Sequence, residues 1–470
     1  MLKQLRIENF KGWQDTKLIK MAPITLFFGA NSSGKSSIGQ FLMMLKQTVE
    51  SPDRRAVFYP GGRNSAVQLG SYGEMVFRRD KTNSIKFEYR WDTTDDITIK
   101  DPITRNQYTG NSIDFKATTG ILDKAQNVPV VEAIKYSIFK EDDNPVLSIG
   151  MEKKDKGKYK VPAKNYTLRR NQGRAWDAPP PIRFYGFPDE VVAYYQNAEF
   201  VQDLNLRHEQ LFRRFSYLGP LRIRAERLYS WAGTEPESVG YFGENTIAAI
   251  LAARDRRISL GYKKSQKPLE EIIAAKLREM GLIDQFSVNQ ISRTRQEYEV
   301  KVLTKGSPDF VDLPDVGVGV SQVLPVLTQL FYAPAGSIII MEQPEIHLHP
   351  SAQSALADVM IDAIHSRENG EDRNIQLIIE THSEHFLRRL QRRIAEEVVK
   401  QEKVAAYFAD TTRTPAQLEP LQIDAFGNIT NWPDNFFGDE MGDIIAQSRA
   451  AVDRRIKEKD TATDQELNNE

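Results

Sequence analysis

The sequence predicts an α/β fold around a phosphate-binding loop, and three observations carry that expectation. The octet Gly29-Ala30-Asn31-Ser32-Ser33-Gly34-Lys35-Ser36 follows an apolar run, Ile24 to Phe28, and precedes a stretch with Ile38, Phe41, Leu42 and Leu45 on one helical face. Two apolar segments far along the chain, Ser337 to Met341 and Gln376 to Ile379, read as buried strands, and the first runs into Glu342-Gln343-Pro344-Glu345. Ahead of both, Asp315-Val316-Gly317-Val318-Gly319-Val320-Ser321-Gln322 opens a helix, so the order from about Tyr298 is strand, glycine-rich loop, helix, strand, helix, strand.

The elements follow in chain order. Leu2 to Phe10 alternates like a strand, Lys11 to Met21 is polar, and the strand feeding the phosphate loop comes next. From about Gln68 to Ile149, short alternating segments such as Ile85 to Arg90 and Ala133 to Ile138 are separated by Asp, Asn, Gly and Thr, the pattern of an antiparallel meander. Residues 151–184 are basic and turn-rich and end in Pro179-Pro180-Pro181, which reads as an exposed connection. Helical patterns cover Asp189 to Phe215 and about Asn245 to Leu282, with Pro268 placed to start a helix. No heptad pattern lasts long enough for a coiled-coil arm. The expected division is residues 1–50 and 298–400 as two halves of a nucleotide-binding domain, 51–190 as a β-rich insertion, 191–297 as a helical lobe, 401–453 as a small C-terminal domain and 454–470 as a polar, disordered tail.

Bulk properties exclude several classes. With 63 Lys and Arg against 64 Asp and Glu, the net charge is -1, so no global basic field draws the chain to nucleic acid and any such contact needs local patches. The absence of cysteine removes disulfides, thiolate metal sites and cysteine nucleophiles. Neither a signal peptide nor an apolar run long enough to span a bilayer is present, so a cytoplasmic location without membrane contact is expected.

The chemistry concentrates at the loop and the strand ends. Glycines Gly29 and Gly34 let backbone N–H groups wrap phosphates, Lys35 neutralises β- and γ-phosphate charge, and the Ser36 hydroxyl ligates Mg²⁺. Asn31, Ser32, Ser33 and Ser37 complete this candidate set for ATP. Glu342 stands at a strand end, where Mg²⁺ and the γ-phosphate would sit, and His382 of Thr381-His382-Ser383 would contact the γ-phosphate. The helix start at Gly317 and Gly319 offers free N–H groups to an anion.

This succession resembles the ATP-binding-cassette (ABC) ATPases, in particular the SMC, RecF and OLD-like branch. The opening Leu5-Arg6-Ile7-Glu8-Asn9-Phe10-Lys11, the run Glu342-Gln343-Pro344-Glu345-Ile346-His347-Leu348-His349-Pro350 and the histidine switch Thr381-His382-Ser383 carry the likeness, over roughly residues 1–45 and 215–395. It implies an ABC-type nucleotide-binding domain with a mixed sheet and flanking helices, binding ATP and Mg²⁺. Asp424 to Ile429, with Trp432-Pro433 and Phe436-Phe437, resembles a small C-terminal domain of unknown function that closes some prokaryotic members. Relatives of that kind serve in antiphage systems, including Septu-like pairs with a separate HNH nuclease, which implies an effector partner.

Two departures qualify the likeness. Gln343 stands where these ATPases commonly place the glutamate that activates water; Gln orients a water without taking its proton, so slow hydrolysis is expected unless Glu345 substitutes. Gly317-Val318-Gly319 lacks the serine that usually precedes the glycines, and Ser321 lies one turn later. One chain carries one phosphate loop and one signature, so a homodimer or higher homo-oligomer sandwiching two nucleotides is expected.

Competing readings remain at other positions. His347, His349, His382 and His385 have pairwise metal-ligand spacing without a completing carboxylate or cysteine pattern. The basic interval from Lys153 to Arg183, with Tyr159, Tyr166 and Trp176, reads as a solvated hairpin or as a DNA-contacting segment. The run Arg388-Arg389-Leu390-Gln391-Arg392-Arg393 reads as a charged helix face or as a site for DNA phosphates or an acidic partner. No Asp-x-Asp after Leu390 supports a fused Toprim nuclease, and the six histidines leave none for an HNH site, so cleavage would belong to a partner chain with an HNH or Toprim nuclease. The alternatives to an effector-controlling switch are a DNA-clamping repair or chromosome-maintenance ATPase and a non-hydrolysing ATP-sensing scaffold.

Overall fold

Alternating apolar residues place Leu2, Leu5, Ile7 and Phe10 on one buried face of β1 (Leu2–Phe10), while β2 (Ile24–Gly29) is buried throughout, as a central strand must be. The computed structural model describes residues 1–123, 127–140, 144–154, 157–171, 177–292, 295–433, 436, 444–452 and 454–455. Asp155, Lys156, Arg174, Trp176, Phe437 and the expected tail from residue 456 lie outside the described residues. Residues 1–429 form one compact unit, and a second begins at Thr430. In the second unit Trp432 meets Phe436 edge-on, and residues 444–452 are helical.

After β2 the chain enters α1 (Lys35–Glu50) and then an antiparallel meander of β3 (Ile85–Lys100), β4 (Gln107–Asp123), β5 (Val128–Phe139) and β6 (Leu147–Lys153). The expected β-rich segment is therefore present, but it continues the first strand: β1 pairs antiparallel with β3, with Leu5 opposite Tyr89 and Ile7 opposite Phe87. One nine-stranded sheet results, because the apolar face of β1 needs the same cover as that of β3.

Helix α2 (Phe200–Arg213) packs against α1 and leads into β7 (Phe215–Leu218), the first strand of a second sheet. The helical stretch expected over 245–282 is interrupted. Helix α3 (Thr246–Ala252) and helix α4 (Leu269–Glu279) flank short paired strands at Arg257–Ser259 and Gln266–Pro268. The turn between those strands holds Gly261 and Lys263 at positive φ, which a helix does not accommodate. Pro268 lies immediately before α4, where its missing N–H costs nothing. A hairpin, β8 (Gln285–Gln290) and β9 (Glu297–Leu303), precedes α5 (Val318–Tyr332), β10 (Ile338–Glu342), α6 (Pro350–His365), β11 (Gln376–Glu380), α7 (Glu384–Ala395), β12 (Val404–Asp410) and β13 (Gln417–Pro420).

The second sheet runs β7-β10-β11-β2-β12-β13, parallel except for the last strand. Residues 404–410, assigned by sequence to a separate C-terminal domain, are thus the neighbour of the phosphate-loop strand, with Val404 opposite Ile24 and Ala409 opposite Gly29. The apolar run from Val404 to Ala409 has the character of a strand covered on both faces.

Ile338, Ile340 and Ile378 point into a core shared with α1, α2 and the antiparallel sheet. The alternate residues Ile339, Met341, Leu377 and Ile379 are buried on the opposite face, where α6 packs on β11 and α5 packs on α3, α4 and α6. The phosphate-loop helix and the helix opened by the glycine-rich segment thus pack on different elements.

At the centre of the first core sits His208 of α2, fully buried among Tyr89, Phe115, Tyr136, Phe184, Tyr185 and Phe212. Its two ring nitrogens lie 2.8 Å from the hydroxyls of Tyr89 (Nε2) and Tyr136 (Nδ1). Tyr136 gives its one proton to the carbonyl of Tyr185 at 3.0 Å, so Nδ1–H of His208 donates to Tyr136 and Nε2 accepts from Tyr89. Burial holds the imidazole pKa well below its ordinary value, in keeping with this neutral tautomer.

Candidate functional site

The phosphate loop turns between β2 and α1 because two of its positions take backbone conformations that a side chain resists. Gly29 has φ of +140°, and a Cβ there would meet the Ala409 carbonyl oxygen at 2.8 Å. Gly34, at φ +92°, caps α1 under the ring of Trp13, whose indole N–H donates to the Gly34 carbonyl at 3.0 Å. No side chain caps the N-terminus of α1, so its first-turn N–H groups are left for an anion.

Lys35 is buried, and its Nζ donates to the carbonyls of Gly29 (2.9 Å) and Ala30 (2.7 Å) and reaches Ser33 Oγ at 3.3 Å. Desolvation lowers its pKa, opposed by the charge of Glu380. Asn31 and Ser32 are exposed at the loop tip, Ser33 and Ser37 are buried beneath it, and Ser36 is half-buried in the first turn.

Glu342 and Glu380 end the neighbouring parallel strands β10 and β11 and are register partners. Both carry the parity of Ile340 and Ile378, so both face α1, and both side chains belong to residues only 8% exposed. Tyr217 donates its hydroxyl to Oε1 of Glu342 at 2.9 Å. The Ser36 hydroxyl lies near enough to the Glu380 carboxylate to favour its charged form. Burial first, then the charge of Glu380, push Glu342 up to about 7, while Tyr217 and Lys11 pull the other way. Glu380 is likewise raised by burial, against Ser36 and Lys35.

A pH dependence follows for the EDTA-treated chain. The Glu342 carboxyl holds its proton more tightly when folded (about 7) than at the ordinary 4.5, so stability falls as pH rises through that window and levels off above it. The expected loss is about 3 kcal/mol, measurable as the difference in unfolding free energy between wild type and Glu342→Gln from pH 4.5 to 8. Parallel pH curves for the two chains would count against the buried placement of this carboxyl.

The residues after β10 form a strained turn. Gln343 has φ of +45° and donates its N–H to the Glu380 carbonyl at 2.8 Å. Buried Arg222 directs Nη2 toward the carbonyls of Glu342 (3.3 Å) and Gln343 (3.4 Å). Desolvation lowers its pKa to about 10 against the attraction of Glu345. Glu345 is buried, and its Oε1 accepts the His382 N–H at 2.8 Å. Desolvation and then the Lys35 charge lower the pKa of the exposed His382 ring, which keeps it neutral at pH 7.

The structure thus brings Lys35, Ser36, Glu342, Gln343, Glu345 and His382 to one edge of the parallel sheet. Gly317, Gly319 and Ser321 stand elsewhere. Gly317 is exposed, Gly319 lies against the His347 carbonyl, and the Ser321 hydroxyl is turned back onto the Val318 carbonyl at 2.9 Å. Among the described residues no hydrogen bond from this helix start reaches the phosphate loop.

Sequence reasoning missed Trp13, Tyr217, Arg222 and the part played by Glu380. Glu380 carried a usable signal, since it closes an apolar strand as Glu342 does; the other three act across the fold at sequence distances of 21 to 125 residues. The oxygen donors of Ser36, Glu342 and Glu380 suit a hard divalent cation. No group of three or more His, Asp and Glu is gathered for a metal among the described residues, so the histidine metal reading finds no support. His349 instead caps α6, accepting the Ser351 N–H at 3.3 Å.

The basic segments are also accounted for differently. Tyr159 and Tyr166 are buried, with hydroxyls on the carbonyls of Val131 and Asn197, and are unavailable for base stacking. Arg183 is buried against the carbonyls of Val49 and Ser51 at the end of α1. Arg389 and Arg393 both bind Asp358 of α6. Among the described residues no helix is long and apolar enough to cross a membrane.

A parallel sheet with a phosphate loop on one strand, an acid on the next strand but one and a histidine beyond the strand between them defines a P-loop ATPase fold of the expected α/β class. Residues 24–388 match the family described as "AAA domain, putative AbiEii toxin, Type IV TA system", and the chain belongs to that family. Residues 399–447 match a second family, described as "Protein of unknown function (DUF3696)". Among solved structures the chain is similar to the SMC head domain from Thermotoga maritima, at 10% identity and a TM-score of 0.37, covering 90% of this chain and 99% of that one. It is also similar to an SmcHead bound to the C-winged helix domain of ScpA, at 9% identity, a TM-score of 0.40 and coverage of 90% and 98%. A further similar structure is an Smc head domain with an extended coiled coil, bound to the C-terminal domain of ScpA and derived from Pyrococcus furiosus, at 9% identity, a TM-score of 0.39 and coverage of 90% and 96%. No curated protein matches.

Proposed function

We propose that the chain is an ATP-driven conformational switch: ATP with Mg²⁺ joins two copies, and the closed state controls a separate effector, in keeping with a nuclease partner in antiphage defence. The observation that carries this reading is the split of the site. Lys35, Ser36 and Glu342 form a cradle at α1, while the exposed, uncapped start of α5 at Gly317 offers anion-binding N–H groups apart from it. A second copy would bring that helix start to the first copy's nucleotide, so ATP would bind the closed dimer better than the open chain, which a ligand-driven switch requires. Membership of an AAA family supports the ATP part of the reading, and that family's description, which names a "putative AbiEii toxin, Type IV TA system", is in keeping with the effector part.

Hydrolysis in this reading is slow. Gln343 cannot accept a proton, and Glu345, the nearest alternative, is buried with one oxygen on the His382 N–H. The test is single-turnover hydrolysis by wild type and Gln343→Glu, with molecular mass recorded with and without ATP-Mg²⁺. A glutamate at 343 is expected to raise the rate by about 10²-fold, within the usual worth of a general base. Mass is expected to double on ATP addition. An unchanged rate would assign the base elsewhere, and a mass indifferent to ATP would remove the dimer switch.

A further inference from the structure

We propose that Glu380 is a ligand of a divalent cation, completing with Glu342 and the Ser36 hydroxyl a site that takes Mg²⁺ or Mn²⁺ from solution without nucleotide. This rests on the ATP reading above for its purpose, though not for its geometry.

The two carboxylates come together because register forces them to. As partners on adjacent parallel strands with the same parity, they leave the sheet side by side toward α1, at about the 4.8 Å strand spacing. Ser36, in the first turn of α1, lies beside Glu380 on the face that both carboxylates share. The pair is poorly compensated by protein. Among the described residues, Oε2 of Glu380 is buried without a hydrogen-bond partner, and the Glu342 carboxylate is met by the Tyr217 hydroxyl alone. Among the described residues neither carboxylate forms an ion pair. Lys35, whose charge acts on Glu380, has its amino group on the carbonyls of Gly29 and Ala30, and Lys11, whose charge acts on Glu342, donates to Gln40 Oε1 at 2.6 Å.

Two buried carboxylates facing each other with no cation between them are costly. A divalent ion removes that cost, because it takes oxygen donors at about 2.0–2.1 Å for Mg²⁺ and fills its remaining positions with water. With one protein carboxylate, such an ion depends on the phosphates for most of its charge; with two, the chain neutralises it alone. The expected order of events is therefore cation first, nucleotide second, the incoming phosphates replacing water on an ion already seated beside Lys35.

The experiment uses the full chain stripped with EDTA and dialysed free of chelator. Mn²⁺ is titrated in without nucleotide, and free Mn²⁺ is followed by electron paramagnetic resonance. Wild type is expected to bind one Mn²⁺ per chain, with Glu380→Gln at least tenfold weaker and Glu380→Asp between the two. A wild-type chain that binds no Mn²⁺ at millimolar concentration, or a Glu380→Gln chain that binds it as wild type does, overturns the proposal. Thermal midpoints identify a variant that fails to fold, in which case the wild-type stoichiometry and the aspartate variant decide. ATP binding measured in EDTA separates this site from the nucleotide reading. Glu380→Gln should retain or strengthen ATP affinity there, because it removes a negative charge near the phosphates. A wild-type chain that binds Mn²⁺ but no ATP would leave the cation site standing and remove its proposed purpose.

Discussion

Lys35→Ala is expected to abolish ATP binding and turnover together, with a loss on the order of 10²-fold or more in hydrolysis. In the proposed ATP site the charge removed is the one that would meet the β- and γ-phosphates, and among the described residues no other cation enters the hydrogen bonds of the loop. The fold is expected to survive. Nζ of Lys35 touches only loop atoms, and α1 is anchored instead by Phe41, Leu42 and Leu45 in the core. Hydrolysis and fluorescent-nucleotide binding, each beside a thermal scan, make the check. Turnover within a few-fold of wild type would mean that the measured ATPase does not use this loop.

His208→Ala is expected to act oppositely, lowering stability without touching the ATP site directly. The substitution leaves the Tyr89 hydroxyl buried without a partner and opens a cavity lined by Phe115, Phe184 and Tyr185. Cavity and unsatisfied hydroxyl together cost about 3–5 kcal/mol. The sign of the pH effect separates this from simple loss of volume. A neutral buried imidazole has its folded pKa below the ordinary 6.5, so the wild type loses stability as pH falls below that value, and the variant lacks this component. Urea unfolding at pH 7.5 and 5.5 tests both statements; a destabilisation that is the same at both pH values would contradict the neutral, buried histidine.

Much of this was written locally in the sequence. The phosphate loop, the acid at the end of β10, the histidine after β11 and the glycine-rich start of α5 each depend on a few consecutive residues, so their chemistry shows without a fold. What stayed hidden depends on pairing. Glu380 gains its meaning from lying opposite Glu342, a relation between strands 38 residues apart that no local pattern encodes. Tyr217 and Arg222 reach the same site from an edge strand and the loop after it, more than 100 residues earlier. The continuity of β1 with the meander was hidden for the same reason: strands 75 or more residues apart share an edge because both present an apolar face. Tyr159 and Tyr166 misled in the other direction, since an aromatic among basic residues looks identical in sequence whether its ring is packed inside or offered to a base.

The place of β12 beside β2 bears on how the chain is made. The strand that carries the phosphate loop emerges among the first thirty residues, yet both of its neighbours, β11 and β12, come from residues 376–410. A nascent chain must keep that apolar strand from wrong partners while hundreds of intervening residues are synthesised, and the Ala409 backbone that fits against Gly29 follows it by 380 residues. Folding of the nucleotide site is thus a late event governed by long-range closure, intrinsically slow and exposed to aggregation until β12 is in place. An N-terminal fragment ending before residue 404, however faithfully it keeps the loop sequence, would leave β2 as a bare apolar edge.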